Sequence, residues 1–155
     1  MEKLRIIREE HNLRQIDIAN ILDIKRSTYT SYEIGRDTIP INHLNNLCNY
    51  FDVSIDYVLG LNNIKKYVNS KNDIDIKKET LRLKQLRKEN NLTQTEISKI
   101  LNTSRSTWTG YEYGNYQIPT LLLYELCKKY NYSMDYLLGK IDENKLKNTK
   151  HSIIS

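Results

Sequence analysis

The chain has 155 residues, 24 of them Lys or Arg against 19 Asp or Glu, for a formal net charge of +5 and a pI near 9.1; that length holds one ordinary domain or two small ones. No apolar run reaches the roughly 18 residues that span a bilayer, and Met1 is followed by a charged amphipathic stretch rather than a signal-peptide core, so no membrane partner is expected and the expected location is cytoplasmic. The basic balance suits a polyanion but is uneven, with net charge −2 over residues 1–61, +3 over 62–82 and +3 over 83–140, so any attraction to phosphate should come mostly from the second half.

An internal repeat settles the number of domains. Leu4 to Gly60 aligns with Leu83 to Gly139 at a constant offset of 79 without a gap, and about 26 of roughly 57 positions are identical. The reading is a first domain over 1–61, a linker over 62–78, a second domain over 79–140 and a tail over 141–155 expected to fray. Each domain has about 60 residues, near the lower limit at which a hydrophobic core suffices without disulfides or metals.

Within each copy the apolar spacing is helical, and nothing reads as a strand. Leu4 and Ile7, matched by Leu83 and Leu86, predict a first short amphipathic helix, and Ile18, Ile21 and Leu22 (Ile97, Ile100 and Leu101) predict a second. Tyr29 and Tyr32 (Trp108 and Tyr111) form the inward side of a third. Leu44, Leu47, Cys48 and Phe51 (Leu123, Leu126, Cys127 and Tyr130) form the face of a fourth, so the two cysteines read as buried reduced thiols in preference to a disulfide or metal site. Ser54 and Ser133 are placed to cap a last short helix that stops at Gly60 or Gly139. The fold class is all-α, two tandem five-helix domains.

Start signals differ between the copies. Thr93 with Glu96 makes a capping box for the second helix of copy two, and Ser104 can cap the third; Arg14 and Lys25 stand in their places in copy one. Each missing cap costs about 1 kcal/mol, so copy one should be weaker at both starts unless Asn12 or Asp23 substitutes.

Two helices separated by about three residues, the second short and polar on one side, form a helix-turn-helix arrangement. The motif runs Gln15, Ile18-Ala19, Ile24, Arg26-Ser27-Thr28, Tyr32-Glu33, Gly35 and Pro40, and recurs in copy two from Gln94 to Pro119. In this pattern both copies resemble the phage lambda repressor and Cro family, or XRE-type helix-turn-helix domains, over about three quarters of the chain. At about 100° per residue, Tyr29, Tyr32 and Glu33 share one side of the third helix, while Ser27, Thr30 and Ser31 face the other and Arg26 sits at its N-terminal flank. The corresponding residues of copy two are Arg105, Ser106, Thr109 and Gly110. An α-helix fits the DNA major groove, where Arg pairs with guanine and Ser or Thr reaches several base edges. Arg26 and Arg105 are therefore the expected base contacts, with phosphate or solvent as the other reading. Since the two faces nearly match, the copies should prefer similar half-sites; Gly110 either permits closer backbone approach or is simply tolerated.

The resemblance implies contacts from Gln15 and Gln94 to phosphate or to the first base of a half-site, with a structural Gln as the alternative. Arg36 follows the third helix and can hold phosphate; Asn115, its counterpart, would do so without charge. The resemblance also implies that Arg8 with Glu33, and Arg87 with Glu112, form structural ion pairs beneath the recognition helix.

Residues 62–78 read as a flexible tether or, from Asp75 onward, as an extension of the helix carrying Leu83 and Leu86. Lys145, Lys147 and Lys150 make the tail basic. The expected function is a sequence-specific DNA-binding transcriptional regulator, a repressor covering a double-stranded operator, with one chain doing the work of a family homodimer and further homodimerisation left open. The alternative is a protein- or RNA-interacting helix-turn-helix protein, such as an antitoxin or a phage-encoded inhibitor, supported by the acidic balance of copy one. No enzyme, cofactor, metal site or catalytic residue is expected, because His11, His43 and His151 share no ligand or nucleophile spacing and no glycine-rich phosphate loop occurs.

Overall fold

A computed structural model describes residues 1–146 and divides the chain into two units, Met1–Lys66 and Tyr67–Ser155. Unit 1 holds α1 (Glu2–Glu10), α2 (Gln15–Leu22), α3 (Arg26–Ile34), α4 (Ile41–Tyr50) and α5 (Ile55–Val58). Unit 2 repeats the order with α6 (Ile76–Glu89), α7 (Gln94–Ile100), α8 (Arg105–Tyr113), α9 (Thr120–Tyr130) and α10 (Met134–Leu137). Among the described residues there is no strand, and no helix is long and apolar enough to cross a membrane.

The helical periodicity translates directly into burial. Leu4, Ile7, Ile18, Leu22, Leu44, Leu47 and Cys48 are buried in unit 1, as are Leu83, Leu86, Ile97, Leu101, Leu123, Leu126 and Cys127 in unit 2. Neither cysteine is in a disulfide. Ile21 and Ile100 differ from expectation: at 39% and 37% exposure they lie at the rim of the apolar face. Several helices end on a residue in the left-handed region, where Asn and Asp are tolerated because their short side chains bond locally. Asn12, Asp23, Asn91, Asn102 and Asn131 take this role with φ between 53 and 60°.

The caps explain part of the asymmetry between copies. Thr93 and Glu96 exchange hydrogen bonds across the start of α7, and Ser104 Oγ accepts from the Thr107 N–H at 3.1 Å. In copy one neither Asn12 nor Asp23 caps a start, since both are spent on ending the preceding helix. Instead Asp17 reaches back, accepting from the Arg14 backbone N–H at 2.7 Å and from the Arg14 guanidinium at 2.9 and 3.1 Å. The start of α3 at Lys25 has no side-chain cap.

The expected linker over 62–78 is divided between the units rather than free. The Ser54 N–H and hydroxyl donate to the Lys65 and Ile64 carbonyls at 2.6 Å each, tying 64–65 to the start of α5. In unit 2, Tyr67 is buried, Lys71 N–H donates to Lys140 O, and Asp75 N–H donates to Leu138 O, each of the two bonds at 2.9 Å. Asp75 then caps α6 by accepting from the Lys78 N–H at 3.1 Å. The Ser54 N–H before α5 and the Leu138 and Lys140 carbonyls after α10 need partners, and the adjoining segment supplies them. Residues 141–146 of the stretch expected to fray are held in the same way. Ile141 and Leu146 are buried, Ser133 N–H donates to Asn144 Oδ1 at 2.8 Å, and Asn131 Nδ2 donates to Leu146 O at 3.0 Å. Lys147, Lys150 and the Ser152–Ser155 end lie outside the described residues.

Candidate nucleic-acid interface

The turn between α2 and α3 is Asp23–Ile24–Lys25. Left-handed Asp23 reverses the chain, the Ile24 N–H returns to Ala19 O at 2.9 Å, and α3 begins at Arg26. Tyr29 and Glu33 face inward with 0% and 6% exposure, so Arg26 and Ser27 are left on the exposed side. Copy two repeats this with Trp108 and Glu112 buried and with Arg105 and Ser106 exposed.

Behind each of these helices lies a polar network. Arg8 donates to Glu33 through Nε at 2.5 Å and Nη2 at 3.2 Å, and to the Leu13 carbonyl through Nη1 at 2.7 Å. Gln15 Nε2 donates to Glu33 Oε2 and Thr30 Oγ1 donates to Gln15 Oε1, both at 2.9 Å. In copy two Arg87 donates to both Glu112 oxygens, Gln94 Nε2 to Glu112 Oε2 at 2.9 Å, and Trp108 Nε1 to Glu112 Oε1 at 2.9 Å. Burial by itself would raise the Glu33 and Glu112 carboxyls; hydrogen bonds from Arg and Gln, with the Arg charge, outweigh it and hold both below the usual carboxylate range. Gln15 is thereby held by one amide hydrogen and one oxygen lone pair, which leaves one donor and one acceptor site for another partner; Gln94 is held through its amide hydrogen, with Thr109 Oγ1 3.5 Å from its oxygen.

In unit 1, Gln15, Arg26, Ser27, Thr30, Ser31, Ile34 and Arg36 line one shallow concavity, with Arg36 exposed at its edge. Asn115 is likewise exposed just after α8. Two residues expected on this face are covered by groups of their own domain. Ser31 is 6% exposed and its hydroxyl donates to Asp37 Oδ2 at 2.5 Å. Gly110 is buried, and a Cβ there would lie 2.1 Å from Cε2 of Tyr116, so the glycine makes room for a ring of its own domain. In both cases the chain turns at a left-handed glycine, Gly35 or Gly114 at φ 76°, and folds back over the C-terminal half of the helix. A helical wheel places residues around an axis but carries no information on what the next loop covers. The signal lay inside the repeat, where Ser31 with Asp37 becomes Gly110 with Tyr116 at the same spacing.

Other residues that matter here also had no motif to mark them. Lys3 Nζ donates to Tyr57 O at 2.9 Å and lies 4.1 Å from that ring's centre. Arg82, its counterpart, donates to Tyr136 O and stands 4.0 Å from the Tyr136 ring centre. Glu79, in the first turn of α6, is 3% exposed, and burial pushes its carboxyl up to about 7 despite a hydrogen bond with Gln117. Among the described residues no group of His, Cys, Asp and Glu could hold a metal ion.

Two helices joined by a turn of three residues in unit 1 and four in unit 2, with the second helix fixed from behind and open in front, define each unit as a helix-turn-helix domain. A helix-turn-helix family matches residues 4–58 and a helix-turn-helix domain family matches residues 80–143; the chain carries two helix-turn-helix domains in tandem. It is 37% identical over 60 residues to the uncharacterized HTH-type transcriptional regulator YobD of Bacillus subtilis, covering 39% of this chain and 54% of the relative. It is 40% identical over 58 residues to the uncharacterized HTH-type transcriptional regulator YqaE of the same organism, covering 37% and 50%. Similarity to the antitoxin PezA of Streptococcus pneumoniae is 36% over 58 residues, or 37% of each chain. The chain thus spans about half the length or less of the curated relatives it matches. No solved structure matches it significantly.

Proposed function

We propose that the chain is a sequence-specific DNA-binding transcriptional regulator, acting as a repressor that covers an operator of two related half-sites, each read through α3 or α8. The observation that carries this reading is the open N-terminal half of each recognition helix, where Arg26 with Ser27, and Arg105 with Ser106, are exposed above a Gln held by the Arg–Glu network. The Arg residues take the base contacts, Ser27, Thr30, Ser106 and Thr109 the neighbouring edges, Gln15 and Gln94 the phosphate or first base, and Arg36 a phosphate. Similarity to two proteins named as HTH-type transcriptional regulators supports the reading.

A salt titration of binding to a sequence selected from random DNA tests it. The log of affinity should fall by about 0.9 per tenfold salt increase for every phosphate neutralised, while preference over a scrambled sequence persists. Loss of that preference at every salt concentration would refute specific binding. A second reading is favoured by the similarity to a protein named as an antitoxin and by the net −2 charge of residues 1–61: an interaction protein that engages a protein or RNA and regulates its own synthesis.

A further inference from the structure

We infer that the residue two places beyond the helix-ending glycine, Asp37 in copy one and Tyr116 in copy two, makes the two half-sites differ, with Tyr116 selecting a thymine that copy one does not require. The inference rests on the DNA-binding reading above and deepens it. The shared residues of the two faces, Arg26 with Arg105 and Thr30 with Thr109, predict a common core sequence. Position 31 belongs to the wall of the concavity that also contains Arg26 and Thr30. What stands against that wall is opposite in chemistry in the two copies.

In copy one the Ser31 hydroxyl is bound by the Asp37 carboxylate at 2.5 Å, and Asp37 is exposed. A carboxylate offers only acceptors and repels phosphate, so the bases it suits are those presenting an amino group. In copy two the serine has become Gly110, and the Tyr116 ring occupies the space, its Cε2 2.1 Å and its Cδ2 and Cζ 2.8 Å from where a Cβ would be. Tyr111 meets the same ring edge-on at 86°, with centroids 6.2 Å apart, yet Tyr116 remains 57% exposed. A ring seated against the recognition helix and open on its other side presents a fixed apolar surface. In the major groove the matching group is the thymine C5-methyl. The glycine is the permissive half of the device, since any side chain at position 110 would displace the ring.

Selection of random double-stranded DNA with the full chain tests this, comparing the wild type with the paired exchange G110S/Y116D and with the reciprocal S31G/D37Y. The wild type should yield two half-sites with a common core and a thymine preference of roughly fivefold, the low end for one base pair, in one of them only. G110S/Y116D should abolish that preference and make the half-sites alike, whereas S31G/D37Y should install it in both. Y116A leaves Gly110 in place and needs no compensating change, so it should lose the preference and keep the core even if a paired exchange fails to fold. Two identical half-sites from the wild type, or an unchanged thymine preference in Y116A, would overturn the inference while leaving DNA binding intact. No enriched sequence at all would overturn both.

Discussion

Replacing Glu79 by Gln should make unit 2 more stable at alkaline pH while changing little at acidic pH. The Glu79 side chain sits at 3% exposure, one of its oxygens has no hydrogen-bond partner, and Gln117 is the neighbour that bonds it. A carboxyl moved from 4.5 to about 7 by burial leaves the folded state disfavoured by about 3 kcal/mol once charged, at about 1.4 kcal/mol per tenfold change in proton affinity. The N-terminal dipole of α6 favours an anion by up to about 1 kcal/mol, so about 2–3 kcal/mol is expected. Since the folded value lies above the unfolded one, the folded state holds a proton that the unfolded chain has released between these two values. Stability therefore falls as pH rises from about 4.5 to about 7, and the penalty is complete above 7. Trp108 is the only tryptophan and is fully buried in unit 2, so its fluorescence reports this unit alone. With a urea dependence of about 1 kcal/mol per molar, E79Q should raise the midpoint by roughly 2 M at pH 8.5 and by little at pH 5. A gap of the same size at both pH values, or none at pH 8.5, would refute the reasoning.

Substituting Glu33 by Ala strands the buried Arg8 guanidinium and should cost unit 1 about 3–5 kcal/mol, whereas R8M/E33L should recover most of it; circular dichroism melting reads the loss, and the Trp108 transition should not move. As acid is added, both units should lose stability below the usual carboxylate range, because Glu33 and Glu112 are held low in the folded state and that contribution disappears as pH falls through their lowered values; E33Q and E112Q should flatten this arm of the pH–stability curve. Exchanging Lys25 for Ser supplies the cap that Ser104 gives α8 and should stabilise unit 1 by about 1 kcal/mol in a urea titration. R26A and R105A should each weaken binding to the selected sequence by about 1–3 kcal/mol in fluorescence anisotropy while leaving the melting temperatures in place, since both side chains are exposed.

Much of the candidate site could be read one residue at a time. Arg26, Ser27, Arg105 and Ser106 lie at helix starts, where position along the chain and helical angle suffice to put them outside. The Arg8 and Glu33 partnership came from the resemblance, and its geometry accounts for Gln15, whose amide is fixed by Glu33 and Thr30 before any ligand arrives. The covering of Ser31 and Gly110 was not legible because the covering group lies six residues on, beyond a left-handed glycine. Glu79 was not marked at all: a glutamate in the first turn of a helix is ordinary, and only its burial in the folded unit, which outweighs the hydrogen bond with Gln117, makes it a raised acid.

What the sequence by itself determined was the duplication, the all-helical period, the apolar faces that become the two cores and most of the caps. These follow from local rules of spacing and side-chain chemistry, which operate within a turn or two of the helix. The tertiary structure alone decided how loops close over helices and where segments between helices settle. Residues 64–65 serve unit 1 because their carbonyls accept from Ser54 at the start of α5, and residues 71 and 75 serve unit 2 because their N–H groups donate to the Lys140 and Leu138 carbonyls after α10. Likewise Asp37 and Tyr116 give two nearly identical recognition helices different neighbours, because a hydroxyl can bind a carboxylate where a hydrogen atom leaves room only for a ring to rest.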